Sequence, residues 1–256
     1  MYELSSIGIM TNTHPYAVSN SGFWLCTVCS LLTSGNNGYI ILFMASYYCA
    51  QCTHYECSKE VKGELPPSCP MRDKDLMEPS FAEYSKEENR KFYITSSEIE
   101  ALGYCQWTRL REIMEFSFRM NYHRIGLAFC RGLRNEARTV AKILKENGFD
   151  VISVICKTGG IDKDKAGIVH KVHPCEYEPM CNPVAQAKAL EKAGTEFNIV
   201  LGLCVGHDSL FFKYTHTMTT VLAVKDRVTG HNPLAAVYNS EGYFKTRLRM
   251  DDGKTE

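Results

Sequence analysis

Cysteine is the residue of this sequence with the most chemistry to offer: twelve occur in 256 residues. Residues 47–57 read YYCAQCTHYEC and Cys69-Pro70 follows, so Cys49, Cys52, Cys57 and Cys69 stand at C-x2-C-x4-C-x11-C. Four thiolates this close repel one another unless a cation lies between them. A short segment with few aliphatic residues also lacks the core to fold unaided. A bound metal would supply both the charge and the folding energy. Zn2+ is the favoured ion, because four thiolates make a closed tetrahedral site. A [4Fe–4S] cluster accepts the same donors, and a Cys-Pro ending occurs in ferredoxin runs. His54 reads as a surface residue of this knuckle.

A second set is spread along the C-terminal half. Apolar runs at 125–130, 151–156 and 197–204 read as strands, and each ends on a cysteine: Cys130, Cys156 and Cys204. Cys181 precedes Asn182-Pro183, a helix start with Asn at the N-cap and Pro at the first helical position. Ligands of open parallel sheets bind beyond the carboxyl ends of the strands. Neighbouring strands lie ~4.8 Å apart, so thiols on adjacent ends could share one small ion or cluster. Cys130, Cys156, Cys181 and Cys204 therefore form a predicted second site for a metal or Fe–S centre, with His207 and Cys175 near its rim. Glycines in CKTGG (156–160) and GLCVGHDS (202–209) would let backbone approach a ligand.

The elements that must position these residues can be read from period and punctuation. Residues 80–120 have helical character, with starts predicted at Ser80, Ser96-Ser97 and Thr108 and a break at Gly103. Trp107 and Tyr104 read as core packing, and Cys105 as either packing or site. Residues 135–147 carry Ala137, Val140, Ala141 and Leu144 on one face, and a fourth strand is predicted at 219–225. Strands alternating with helices at this spacing predict an α/β fold, a doubly wound, mainly parallel sheet of about four strands. The expected organisation is an upstream extension over 1–43, the knuckle over 44–78, a helical connector over 79–121 and the α/β domain over 122–256. Residues 1–43 hold one charged residue, Glu3, and Cys26 and Cys29 make an isolated C-x-x-C. His170 and His173 read as solvent-facing, and His231 as loop structure.

Composition removes several function classes. Lys plus Arg and Asp plus Glu are both 29, so no excess positive charge is available for unspecific binding of nucleic acid or anionic lipid. The apolar stretches before Met44 are too short and too interrupted to span a membrane. No positive n-region precedes them, so no secretory signal is read and a cytoplasmic location is expected. Thiols in a reducing compartment more often bind metal or do redox chemistry than form structural disulfides. No G-x-G-x-x-G follows the first strand, and neither a Walker loop nor a G-x-S-x-G elbow occurs.

Seven segments resemble a prokaryotic domain-of-unknown-function family described as uncharacterised metal-binding proteins. They are YYCAQCTHYEC with Cys69-Pro70, EALGYCQWTR (100–109), RIGLAFCRGL (124–133), CKTGG (156–160), EPMCNPVAQA (178–187), GLCVGHDSLFFKY (202–214) and VKDRVTGHNPLAAVY (224–238). The resemblance runs from about Met44 to Tyr238. It implies metal binding, carries Cys49, Cys52, Cys57 and Cys69 over as ligands, and makes Cys130, Cys156, Cys181 and Cys204 motif cysteines without an assigned role. Three readings follow. The leading one is a two-site metalloprotein in electron transfer or metal handling, with His207 supporting the second site and a redox or protein partner. The second is a thiol-dependent enzyme with Cys204 as nucleophile at the mouth of the His207 helix. The third is a zinc-stapled interaction module.

Overall fold

The computed structural model describes residues 46–174 and 176–250. Cys26, Cys29, Cys175 and the proposed extension over 1–43 lie outside the described residues. The chain divides into two units after Cys52. Of the first, the described part is a short 3-10 turn at Cys49–Gln51, closed by the Cys52 N–H donating to the Cys49 carbonyl at 3.1 Å.

The second unit begins with turns and a helical layer. Glu56 is buried, and its carboxylate accepts from the Gly63 N–H at 2.7 Å and from Lys59 at 2.5 Å. Helix α1 (Lys74–Glu83) starts at Asp73, whose side chain accepts from the Leu76 N–H, so the predicted start at Ser80 falls inside a helix. Helix α2 (Glu87–Gly103) likewise runs through Ser96 and Ser97. Their hydroxyls bond back to the carbonyls of Phe92 and Tyr93, satisfying them without ending the helix. The break at Gly103 is as predicted, and helix α3 (Arg109–Met120) is capped by Thr108. Trp107 packs against the core, whereas Tyr104 is 69% exposed, against the expectation.

The α/β part is strand β1 (Arg124–Phe129), helix α4 (Arg134–Glu146), strand β2 (Asp150–Ile155), helix α5 (Pro183–Lys192), strand β3 (Phe197–Leu201), helix α6 (His207–Tyr214), strand β4 (Thr219–Ala223) and helix α7 (Leu234–Tyr238). Asn182 Oδ1 accepts from the Ala185 N–H at 2.9 Å, the predicted cap of α5. The four strands are parallel in the order β2-β1-β3-β4, so the winding reverses between β1 and β3. The central strands are apolar throughout because both faces are covered. Ile125, Leu127, Phe197, Ile199 and Leu201 pack with α2, α3 and α4, while Ala128 and Val200 face α5 and α6.

Two close approaches fix the sheet locally. A Cβ on Gly126 would lie 2.0 Å from Asn198 Oδ1, the buried amide that accepts from Thr195 and donates to Thr215. A Cβ on Gly202 would lie 2.1 Å from Leu133 Cδ1, and Gly202 has φ +66°. That left-handed residue ends β3 three positions earlier than the sequence predicts. Gly202→Ala is therefore expected to cost about 2 kcal/mol or more, from a disfavoured backbone together with overpacking. A denaturation midpoint unchanged from the parent would refute this constraint.

Candidate functional site: a thiol cluster at the sheet edge

The register of the sheet brings the crevice thiols together. Phe129 pairs with Ile155 on one side and with Leu201 on the other. Cys130 and Cys156, each one residue beyond its strand, are therefore neighbours. The Cys130 N–H donates to the Leu201 carbonyl at 3.1 Å, and the Cys156 N–H to the Phe129 carbonyl at 2.9 Å. The Cys156 carbonyl accepts from the Asn182 N–H at 2.7 Å, which brings the approach to α5, and Cys181 with it, to the same spot. Cys181 Sγ lies 3.8 Å from Cys156 Sγ. Cys130 is 7% exposed, Cys156 2%, and Cys181 is the accessible member of the three.

Charge divides the roles. The sulfurs of Cys130 and Cys181 both contact that of Cys156. Lys225 stands at Cys130, and Lys157 at Cys181, with the charge of His207 adding to the latter. Neither lysine is among the main influences on Cys156; the Arg131 backbone N–H donates to its sulfur at 3.3 Å. The proton therefore stays on Cys156, which donates to a neighbour. That hydrogen bond, more than any other cause, holds Cys181 down to about 5, with Lys157 assisting. Cys130 is held down to about 5 in the same way, with the Gly132 N–H and Lys225 assisting. Donation to its neighbours and burial push Cys156 far above the ordinary thiol range. One S–H serves one thiolate at a time, so the trio accommodates its first negative charge on either outer thiol and keeps the central proton longest.

Gln186 closes the floor. It is completely buried on α5, and its Nε2 donates to the Phe129 carbonyl at 3.2 Å and the Val154 carbonyl at 2.7 Å, tying together the strand ends that carry Cys130 and Cys156. Its Oε1 has no protein partner among the described residues. Lys157 Nζ is itself held by the Pro179 carbonyl at 2.5 Å.

Cys204 does not join this row. With β3 ending at Leu201, the chain turns early at Gly202 and carries Cys204 to Arg227, whose Nη2 lies 3.7 Å from its sulfur. His207 begins α6, its N–H donating to the Cys204 carbonyl at 2.9 Å, and its charge reaches Cys181. His231 is loop structure as expected, its Nδ1 accepting from the Asp226 N–H at 3.1 Å, and His170 and His173 are exposed. Cys105 is exposed with φ +55°. In the N-terminal segments, Cys49 is exposed and Cys52 half-buried in the first unit; Cys57 is exposed and Cys69 half-buried in the second.

The fit of a metal can be tested on these sulfurs. With metal–sulfur bonds of ~2.3 Å, a tetrahedral thiolate site has sulfurs ~3.8 Å apart, and Cys156 and Cys181 meet that spacing. Among the described residues, however, no three His, Cys, Asp or Glu side chains converge as a donor set for one ion. The crevice thiols form a row through Cys156 rather than a cage.

A family model described as "Protein of unknown function (DUF1847)" matches residues 69–222. The chain is also 46% identical over 202 residues to "Uncharacterized protein MJ0455" of Methanocaldococcus jannaschii, an alignment covering 78% of this chain and 97% of that protein. The chain belongs to the DUF1847 family. The family match begins on Cys69 and contains Cys130, Cys156, Cys181 and Cys204. No solved structure matches. No helix among the described residues is long and apolar enough to cross a membrane.

The sequence reading missed Lys157, Lys225, Gln186 and the Arg131 N–H. Lys157 adjoins Cys156, and a glutamine on the apolar face of α5 with Ala187 and Leu190 is a buried-polar signal. Lys225 becomes visible only once β4 is placed. Alkylation of Cys181 by iodoacetamide, followed by peptide mass mapping, is expected to show a rate inflection near pH 5, against ~8.5 for a free thiol. Lys157→Met should move the inflection upward. A parent inflection above pH 8 would contradict the charge assignment.

Proposed function

We propose that this chain is a dithiol protein in which Cys181 attacks and Cys156 resolves, exchanging with disulfides of small thiols or of proteins. The observation that carries this reading is the 3.8 Å contact between an accessible thiol of low pKa and a buried one that keeps its proton. The Cys181 thiolate attacks one sulfur of a disulfide, forming a mixed disulfide and releasing the other half as a thiolate. Capping Cys181 removes its negative charge and with it part of what holds the proton on Cys156. Cys156 then loses that proton to the released thiolate, and the Arg131 N–H stabilises the new sulfur anion. Attack of Cys156 on Cys181 Sγ frees the second thiol. One disulfide has been reduced to two thiols, and two protein thiols have become one disulfide. This reading moves the nucleophile from Cys204 to Cys181, because Cys204 contacts Arg227 and hydrogen-bonds no thiol among the described residues.

A second reading is a thiolate-bound metal, favoured by the same sulfur spacing and by the sequence spacing of Cys49, Cys52, Cys57 and Cys69. Zn2+ suits the latter set, and a [4Fe–4S] cluster the same donors.

Treatment of the reduced protein with oxidised glutathione is expected to give an internal Cys156–Cys181 disulfide. Cys156→Ser should instead accumulate glutathione on Cys181, and Cys181→Ser should give neither product at Cys156. Equal glutathionylation of parent and Cys156→Ser would defeat the dithiol reading. Metal and acid-labile sulfide that disappear on changing Cys156 or Cys181 would decide for the metal.

A further inference from the structure

Strand β2 pairs only with β1 among the described residues, which leaves its outer edge open. The Asp150 and Cys156 N–H groups donate to β1, so the alternating backbone groups of Val151 and Ser153 point outward. Ser153 in the middle of this edge is exposed. Alongside runs a groove of about 490 Å3 between the sheet and α4, with Phe129 on its floor and Arg134, Arg138, Lys142 and Lys145 along its rim. The acid in this lining is Glu146, which lies 3.6 Å from Lys142. Arg134, Arg138 and Lys145 form no ion pair with a described residue. In a chain of zero net charge this is a local excess of positive charge beside a bare strand edge.

We infer that this edge binds an extended acidic segment of a partner protein, which adds as a strand to β2 and sets alternate carboxylates against the α4 cations. The spacings match. Residues four apart on a helix are ~6.0 Å apart along its axis, and alternate residues of a strand are ~6.7 Å apart. Arg134, Arg138 and Lys142 are thus nearly in step with every second side chain of an added strand. Main-chain pairing would supply affinity, and the carboxylates would set the register. A second copy of this chain would bring the same four cations against each other. Residues 1–43 offer a single acid, Glu3, and the terminal DDGKTE has no acids at alternate positions. Neither segment carries alternating acids, and a partner protein supplies them. This inference does not depend on the thiol chemistry.

The probe is a fluorescein-labelled (Glu-Val)4 peptide, read by anisotropy on the full chain in low salt. Binding is expected to weaken at least tenfold in Arg138→Glu/Lys142→Glu. It should weaken similarly for a peptide N-methylated at alternate residues, a change that removes pairing without touching the protein. (Lys-Val)4 should not bind. Equal affinity for the N-methylated peptide, or for octaglutamate, would reduce the site to diffuse attraction and overturn the proposal. Lack of saturable binding would do so as well, and so would a dimer that the double substitution dissolves, since that would give the edge to a second copy.

Discussion

Strand β1 is held between two parallel partners in one register, and the site depends on that arrangement. Phe129 stands opposite both Ile155 and Leu201, so its carbonyl receives the Cys156 N–H while the next residue, Cys130, hands its own N–H to β3. A one-residue slip on either side would turn every side chain of the slipped strand to the opposite face. It would also separate the two buried thiols. The register is secured from the face opposite the α4 layer by Gln186, whose amide holds two strand-end carbonyls at once. It is secured within the sheet by Asn198, which fills the room left by Gly126. Both polar groups are completely buried, and each hydrogen bond such an amide makes is lost in any other register.

What a linear reading recovered follows from which signals are local. The parallel alternation, the Asn182-Pro183 start of α5, the Thr108 cap and the edge on which Cys130, Cys156 and Cys181 gather all depend on periodicity and capping within a few residues. Ser80 and Ser96 lie inside helices rather than at the starts that the sequence predicts, because a serine hydroxyl can bond back one turn inside a helix as readily as it caps one. The apolar run continues in sequence through Gly202 to Cys204, which is why the sequence predicts Cys204 beside the other thiols. Gly202 is left-handed there, and Leu133, 69 residues earlier in sequence, occupies the space that a Cβ would need. Lys225 escaped notice for a related reason, since its place at Cys130 exists only after β4 has been laid beside β3. The spacing of Cys49, Cys52, Cys57 and Cys69 is legible as a ligand pattern, but a pattern of spacing carries no information about convergence in space.

Holding three thiols in contact, two of them buried, is useful only if their protons are distributed unequally. Three neutral thiols would be three small apolar groups, and three thiolates would repel. Here the two outer sulfurs each have a lysine among their main influences and the central one does not, so a single mobile negative charge is stabilised while the central proton is retained. Exposure then separates the outer pair. Cys130 is covered by the packing of α5 and α6 on the sheet, whereas Cys181 stands at the mouth of α5. Two electrostatically similar thiolates thereby differ in what can reach them.

Cys130 has a consequence of its own for such a row. Whatever withdraws the proton from Cys156, whether a bond to Cys181 or a bound ion, removes the hydrogen bond that is the main cause of the low pKa of Cys130. Lys225 and the Gly132 N–H remain, but burial now opposes them, so Cys130 moves back toward the neutral thiol. In the reduced row a negative charge on Cys181 and one on Cys130 compete for the same Cys156 proton, and a bond between Cys181 and Cys156 withdraws that proton from Cys130 as well. The lysines cannot undo this, because each is committed to one end of the row. The coupling runs through the single proton on Cys156, and it follows from having three sulfurs in contact where a two-thiol site would have had only a pair.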